Sequence, residues 1–447
     1  MSPRRLLVVS YDFGAADGRM GGMRWAGITK YLTRLGWEVA VLTAAPPGRN
    51  EAVPPVRVVR CRRLWTLIDA SRLLRRLTLR RSLEWLPNDA RIARSSDPSG
   101  LLRRLRQEVM TFLAFPDESR GWVCRAALRA RSVVRRFQPH VVVSSGPPHS
   151  AHLVAGVAMR GSAARWLIDL QDPWAGPLTQ AWASHPRLGT WVYRAGSARL
   201  ERLTFRAADG VITVTHQLAA ALGASYPDVP IVCVPNGVDA EGLPRLDQQR
   251  FPGLSVAYAG RLYGSRDLGP VVRALGMFLQ RHPEAGRAGS RLRIAGPADS
   301  YHTRVFKDAV AAAGAEGYVE MLGVLPRAEA LSVVARSRLA VVLAQEQELQ
   351  IPAKLYESVA MGVPTLVVAS ADSAAGVEGR RLGAVVRDSA DVDGITCVLE
   401  RLWQDGAREP SPCPVPITYD AIALLVDQVL GMNVPLASAR RPAVTVP

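Results

Sequence analysis

Short, wholly apolar runs recur along this chain, each ending in a Gly, Pro or polar loop and each followed by a helical pattern. Leu6-Leu7-Val8-Val9 and Leu339-Ala340-Val341-Val342-Leu343 are two of them. A strand with no polar face must be covered on both sides, which is the condition of a strand inside a parallel sheet flanked by helices.

In the first half the pattern places strands at residues 6–10, 38–43, 140–144, 165–170, 210–215 and 231–234. Helices are expected at 24–35, 120–137, from about 150, and at 192–207. After a linker rich in Pro, Asp and Gln (243–253) the pattern restarts. Its strands fall at 254–259, 292–295, 319–322, 339–343 and 365–368, and its helices at 267–280 and 301–313. The fold class expected is therefore α/β, two doubly wound Rossmann-like parallel-sheet domains facing across a cleft. Residues 1–245 form the first domain, with a basic helical insertion at about 62–114. Residues 246–432 form the second, whose last helix (421–430) packs on either domain, and 433–447 form a tail.

At 447 residues, with 48% hydrophobic and 21% charged, the chain has the composition of a multidomain globular protein. No apolar run reaches the roughly 20 residues needed to span a bilayer. Met1-Ser2-Pro3-Arg4-Arg5 opens directly into a strand with no signal-peptide pattern, so cytoplasmic residence is expected. Cys61, Cys124, Cys233, Cys397 and Cys413 are scattered without metal-ligand spacing and read as reduced thiols.

The net charge of +17 comes almost wholly from Arg, the only lysines being Lys30, Lys307 and Lys354. Such skew fits codon usage in a GC-rich genome. Arg residues nonetheless cluster between 57 and 106, interleaved with Leu and with Trp65 and Trp85. A basic, Trp-bearing helical stretch suits an anionic membrane surface, and equally a solvated insertion on the first domain. No nucleic-acid-binding module accompanies the charge.

The most telling segment is Ile351-Pro352-Ala353-Lys354-Leu355-Tyr356-Glu357, closed by Gly362 before an apolar strand. Lys354 and Glu357 are spaced i, i+3 on one helix face. Beyond the carboxyl ends of parallel strands, a carboxylate can accept both hydroxyls of a ribose while a cation holds phosphate. Gly260-Arg261 with Arg266 follows the strand at 254–259, and two guanidinium groups suit a diphosphate. Gly296 and Val324 end two later strands, where small or apolar residues let a flat base lie against backbone.

In the first domain Gly21-Gly22 precede a helix carrying Arg24, and allow close backbone approach to an anionic or hydroxylated ligand. His149 follows Gly146-Pro147-Pro148, and Asp172-Pro173-Trp174 follows the neighbouring strand. Both overhang one crevice, where a base and a polar anchor for sugar hydroxyls are useful.

Taken together, Gly21-Gly22 with Arg24, residues 207–215, Pro235-Asn236-Gly237-Val238-Asp239, Gly260-Arg261 and the Lys354–Glu357 segment resemble the retaining GT-B glycosyltransferases grouped as family 4. The likeness covers nearly the whole length. Phe115-Pro116-Asp117, Gly121-Trp122 and Asp172-Pro173-Trp174 resemble a bacterial branch acting in surface polysaccharide or glycoconjugate assembly.

The resemblance implies transfer of a sugar, with retention, from a UDP- or GDP-type nucleotide-diphospho-sugar to a lipid-linked or small hydrophobic acceptor, without a metal or other cofactor. The donor site is then Gly22, Arg261, Arg266, Gly296, Val324, Lys354 and Glu357. Gly21, Arg24, Asp172 and Trp174 serve the acceptor, and Asp172, His149 and Glu357 the chemistry. One departure stands out. The first acid of the family's usual pair falls on Leu349, with Glu346 and Glu348 out of register. A non-catalytic nucleotide-sugar-binding subunit and a nucleotide-sugar epimerase are the alternatives.

Overall fold

The computed structural model describes residues 3–14, 20–44, 56–67, 69–70, 109, 113, 115–175, 188–244, 249–262, 264–298, 300–406 and 417–431. Most of the expected basic insertion, including Trp85, and the tail at 433–447 lie outside them. The chain forms two compact units, Met1–Pro235 joined by the segment from Asp420, and Asn236–Tyr419.

The first unit holds seven strands: β1 (Arg4–Ser10), β2 (Trp37–Thr43), β3 (Arg57–Arg60), β4 (Val141–Gly146), β5 (Arg165–Leu170), β6 (Gly210–Thr213) and β7 (Ile231–Cys233). They lie in the order β3-β2-β1-β4-β5-β6-β7, all neighbours parallel. Leu6, Leu7, Val8 and Val9 are all fully buried, as a strand covered on both faces must be. The direction of winding reverses between β1 and β4, so the loops after these strands diverge and open the crevice where such sheets bind ligands.

The second unit repeats the plan with β8 (Ser255–Ala259), β9 (Arg291–Ala295), β10 (Val319–Gly323), β11 (Leu339–Leu343), β12 (Thr365–Val368) and β13 (Val385–Arg387). Their order is β10-β9-β8-β11-β12-β13, again parallel throughout, with the reversal between β8 and β11. Two apolar layers sandwich this sheet. One is built on helix Gly269–Arg281 and helix Val392–Gln404, the other on helix Ala353–Ala360 and helix Ala374–Arg381.

The two doubly wound parallel-sheet domains are thus those expected. β3, β13 and the helices Arg327–Ala335, Ala374–Arg381 and Val392–Gln404 were not. β3 and β13 are three or four residues long and only partly buried, too short for a periodicity to emerge. Helix Arg327–Ala335 mixes its polar and apolar residues around the axis and lacks the segregated faces that mark a helix in sequence.

The domain boundary also differs, falling before the Pro-Asn-Gly-Val-Asp run is complete, between Pro235 and Asn236, rather than at 245. Helix Tyr419–Gly431 returns the chain to the first unit. There Asp427 accepts from Trp37 Nε1 at 2.6 Å and pairs with Arg4 at 2.8 Å, while the Arg4 guanidinium lies 4.7 Å from the Trp37 ring.

Candidate functional site

In the second unit, Pro352 and Gly362 (φ +66°) bracket helix Ala353–Ala360. Leu355 and Tyr356 face the core and are fully buried, which fixes the rotation of the helix and turns Lys354 and Glu357 to the carboxyl ends of the strands. The Lys354 side chain runs over Gly260, its Cε 2.9 Å from where a Gly260 Cβ would stand. Any larger residue at 260 would push the lysine away. Burial lowers the Lys354 pKa, Glu357 raises it, and Arg266 and Arg327 lower it further. Lys354, Glu357, Arg266 and Arg327 therefore share one electrostatic neighbourhood.

Three strand ends interlock beneath them. Gly260 N–H donates to Ala295 O at 2.7 Å, and Gly296 N–H to Gly323 O at 2.7 Å. Gly296 has φ +144°, and a Cβ there would lie 2.0 Å from Gly260 O, so no other residue fits. The Gly-Arg loop is pinned at both ends. Tyr258 OH donates to Arg261 O at 2.9 Å, Ser265 Oγ to Gln345 O at 2.8 Å, and Gln345 Nε2 to Asp267 O at 2.6 Å. Arg266 thus lies in the neighbourhood of Lys354, and Arg261 directly follows Gly260 at the β8/β11 reversal. Val324 stands exposed in the turn after β10.

One residue at this site had no mark in the sequence. Arg327 opens the helix after β10, and its guanidinium meets Glu357 Oε1 at 2.5 Å. Its place three residues after Val324 is a strand-end position like the others, which is the signal that could have found it. At the departure from the family pattern, Leu349 is half-buried, while Glu346 (φ +55°) and Glu348 are exposed. Among the described residues no group of three or more His, Cys, Asp or Glu is placed to hold a metal ion.

In the first unit, Arg24 requires correction. Expected at an acceptor, it is fully buried, and each of its three guanidinium nitrogens is engaged internally. Nε meets Asp169 Oδ1 at 3.1 Å, Nη1 meets Pro235 O at 2.8 Å and Nη2 meets Val234 O at 2.9 Å. Asp169 also accepts from Trp25 Nε1 and Ser145 Oγ, each at 2.8 Å. A carboxylate inside an otherwise apolar strand (Trp-Leu-Ile-Asp-Leu) was the overlooked sign of this partner. Gly22 likewise serves the chain's own packing, since a Cβ there would lie 3.0–3.2 Å from the Asp12 and Phe13 backbone. Gly21 sits beside it in helix Met20–Arg34.

His149 and Trp174, read as separate contributors, stack face to face with centroids 4.9 Å apart and planes at 11°. His152, which no motif marks in the sequence, joins them at 5.5 Å from Trp174; it lies three residues on, one helical turn from His149. Its Nδ1 lies 2.9 Å from Ser144 Oγ. His149 Nδ1, His152 Nε2 and Trp174 Nε1 are buried without a hydrogen-bonding partner among the described residues. Asp172 is half-buried at the end of β5.

Two carboxylates hold this cluster in place. Asp117 caps helix Ser150–Ala158, accepting from Ser150 N–H at 2.6 Å and Ser150 Oγ at 2.7 Å. Glu201 accepts from Ala175 N–H at 2.9 Å and from Tyr226 OH at 2.7 Å, tethering the Asp172–Ala175 loop. Burial raises the pKa of both.

Burial also lowers His149 well below the ordinary 6.5 and brings His152 to about 3. Both rings are therefore neutral acceptors or donors in the fold. The unfolded chain takes up these protons below pH 6.5 and the folded chain does not, so stability is intact above 6.5 and falls as pH drops toward 3. Unfolding free energies from chemical denaturation, measured from pH 7 to 4, should fall more steeply for the wild type than for His152→Gln, by up to about 1.4 kcal/mol per pH unit. Equal slopes would show that His152 titrates normally.

Residues 21–237 match the family described as "Glycosyl transferase 4-like domain". No curated protein matches the chain in sequence. Among solved structures it is similar to a glycosyltransferase from Rickettsia africae, with 10% identity, 98% of this chain and 96% of that one covered, and a TM-score of 0.58. It is also similar to sucrose-phosphate synthase from Thermosynechococcus elongatus, with 12% identity, 95% and 98% covered, and a TM-score of 0.58. A third is Anabaena HepE in complex with UDP-glucose, with 12% identity, 95% of each chain covered and a TM-score of 0.54. These likenesses extend over both units and establish the GT-B fold.

Proposed function

We propose that this protein is a glycosyltransferase that moves a hexose-type residue from a nucleotide-diphospho-sugar to a lipid-linked or small hydrophobic acceptor, with retention of configuration. The observation that carries the reading is the grouping of Lys354 with Glu357, Arg266 and Arg327 in the second unit, the lysine running over Gly260 at the end of β8. Glu357 takes the ribose hydroxyls. Arg261, Arg266 and Lys354 take the diphosphate, and Gly296 and Val324 border the base. The family match and the UDP-glucose complex of HepE support a sugar nucleotide as the donor.

The cations make a metal unnecessary in this reading, because they stabilise the negative charge that builds on the departing diphosphate. The bond from the anomeric carbon to the phosphate oxygen breaks and a bond to the acceptor oxygen forms on the same face. The acceptor proton passes to the departing phosphate oxygen, so no protein nucleophile is needed. In the first unit, neutral His149 with Trp174 and Asp172 offers hydrogen bonds and a flat apolar wall to sugar or acceptor hydroxyls.

A panel of UDP-, GDP- and deoxythymidine-diphospho-sugars screened by thermal shift tests the assignment. One donor class at about 100 times its Kd should stabilise the chain by about 2.7 kcal/mol. No shift with any donor would sink the reading. Leu349, in place of the expected acid, favours a second reading as a non-catalytic sugar-nucleotide-binding subunit. Release of nucleoside diphosphate from the donor by the purified chain would exclude it.

A further inference from the structure

We infer that the outer face of helix Val123–Phe137, with the neighbouring Leu64–Leu67 segment, is a docking surface for an anionic phospholipid bilayer. Ala126, Ala127, Ala130, Val134 and Phe137 bury one side of this helix. The opposite side presents Arg125, Leu128, Arg129, Ser132 and Arg136, at the i, i+3, i+4, i+7, i+11 positions of a single face. Leu128 is 73% exposed, although burying it would be favourable.

The segment after β3 is fastened alongside. Leu64 N–H donates to Gly121 O at 2.8 Å and Trp122 Nε1 to Cys61 O at 2.7 Å, and Gly121 has no room for a Cβ, which would stand 2.3 Å from Leu64 O. So anchored, the segment holds Trp65 at 74% and Leu67 at 64% exposure. Two surface depressions adjoin. One, of about 720 Å³, is walled by Trp65, Leu67, Phe115 and Leu153. The other, of about 650 Å³, is ringed by Arg60, Arg62, Arg125 and Arg129.

Exposed Trp and Leu beside four guanidinium groups match the two layers of a bilayer surface, acyl boundary and phosphate. Asp69 does not neutralise them, being bound to Arg63. Glu118 is the other carboxylate near Arg63. Among the described residues no helix is long and apolar enough to cross a membrane. A duplex nucleic acid would use the arginines and leave Trp65, Leu67 and Leu128 in water, so the lipid surface is the better match.

The inference does not rest on the donor site, and its test needs no nucleotide. The full chain is sedimented with phosphatidylcholine vesicles and with vesicles containing 30% phosphatidylglycerol. It should pellet only with the latter, and the double variant Arg125→Glu/Arg129→Glu should weaken partitioning by about tenfold or more. Brominated acyl chains should quench wild-type fluorescence more than that of Trp65→Phe, which reads the contact even if the charge-reversed variant folds poorly. Equal recovery with neutral vesicles, unchanged binding and quenching in both variants, or full displacement by duplex DNA would overturn the inference.

Discussion

Glu357→Gln should weaken binding of UDP or GDP to the full chain by a factor of about 10 to 100. A hydrogen bond to a charged group contributes roughly 1.5–3 kcal/mol, and each 1.4 kcal/mol is tenfold in affinity. The amide keeps the size and loses the charge, so the loss measures what a carboxylate does for ribose hydroxyls. Glu357 also offsets two cations, holding Arg327 directly and raising the Lys354 pKa against the effect of burial. Removing that charge tightens the grip on phosphate even as the ribose contact weakens. Isothermal titration with nucleoside and with nucleoside diphosphate separates the two effects. The nucleoside alone should lose affinity at least as steeply as the diphosphate. If Glu357→Gln binds both as the wild type does, the carboxylate is not at the ribose.

The second large effect concerns stability. Asp169→Leu leaves the Arg24 guanidinium in the interior without its counter-charge, and also strips Trp25 Nε1 and Ser145 Oγ of their acceptor. Breaking a buried pair by removing one partner costs about 3–5 kcal/mol, whereas replacing both by apolar groups is often near neutral. Urea denaturation of Asp169→Leu should show that loss, and Arg24→Met/Asp169→Leu should recover much of it. The recovery will be partial, since Arg24 also donates to the carbonyls of Val234 and Pro235 and so ties helix Met20–Arg34 to the end of the first unit. Single variants that each cost under about 1 kcal/mol, or a double variant as unstable as the two losses added, would refute the coupling.

These two positions show where sequence and structure part company. Lys354 and Glu357 were legible because their relation is local: three residues on a helix, bracketed by Pro352 and Gly362, share a face whatever the rest of the chain does. Gly260, Gly296 and Arg261 were legible as loop residues at strand ends, although not the contact between the two glycines. Arg24 was misread. Its place in the second turn of helix Met20–Arg34 is a local matter, but whether a guanidinium there meets solvent, ligand or a carboxylate 145 residues later depends on which strand lies beside β4. His152 and Arg327 escaped notice for the same reason, being ordinary helix residues until β4 and β10 take their places in the sheets.

The amino-acid pattern by itself determined that the chain would build two doubly wound parallel sheets, with glycines and charged residues gathered at strand ends, because strand and helix periodicities are read over a few residues and apolar runs demand cover on both faces. Only the tertiary structure decided that Asp169 claims Arg24, that Arg327 meets Glu357, that His149 stacks on Trp174, and that helix Tyr419–Gly431 returns to the first unit. Those choices follow from strand order and helix docking, which set distances between residues far apart in the chain, and a charge or a ring finds its partner by distance alone.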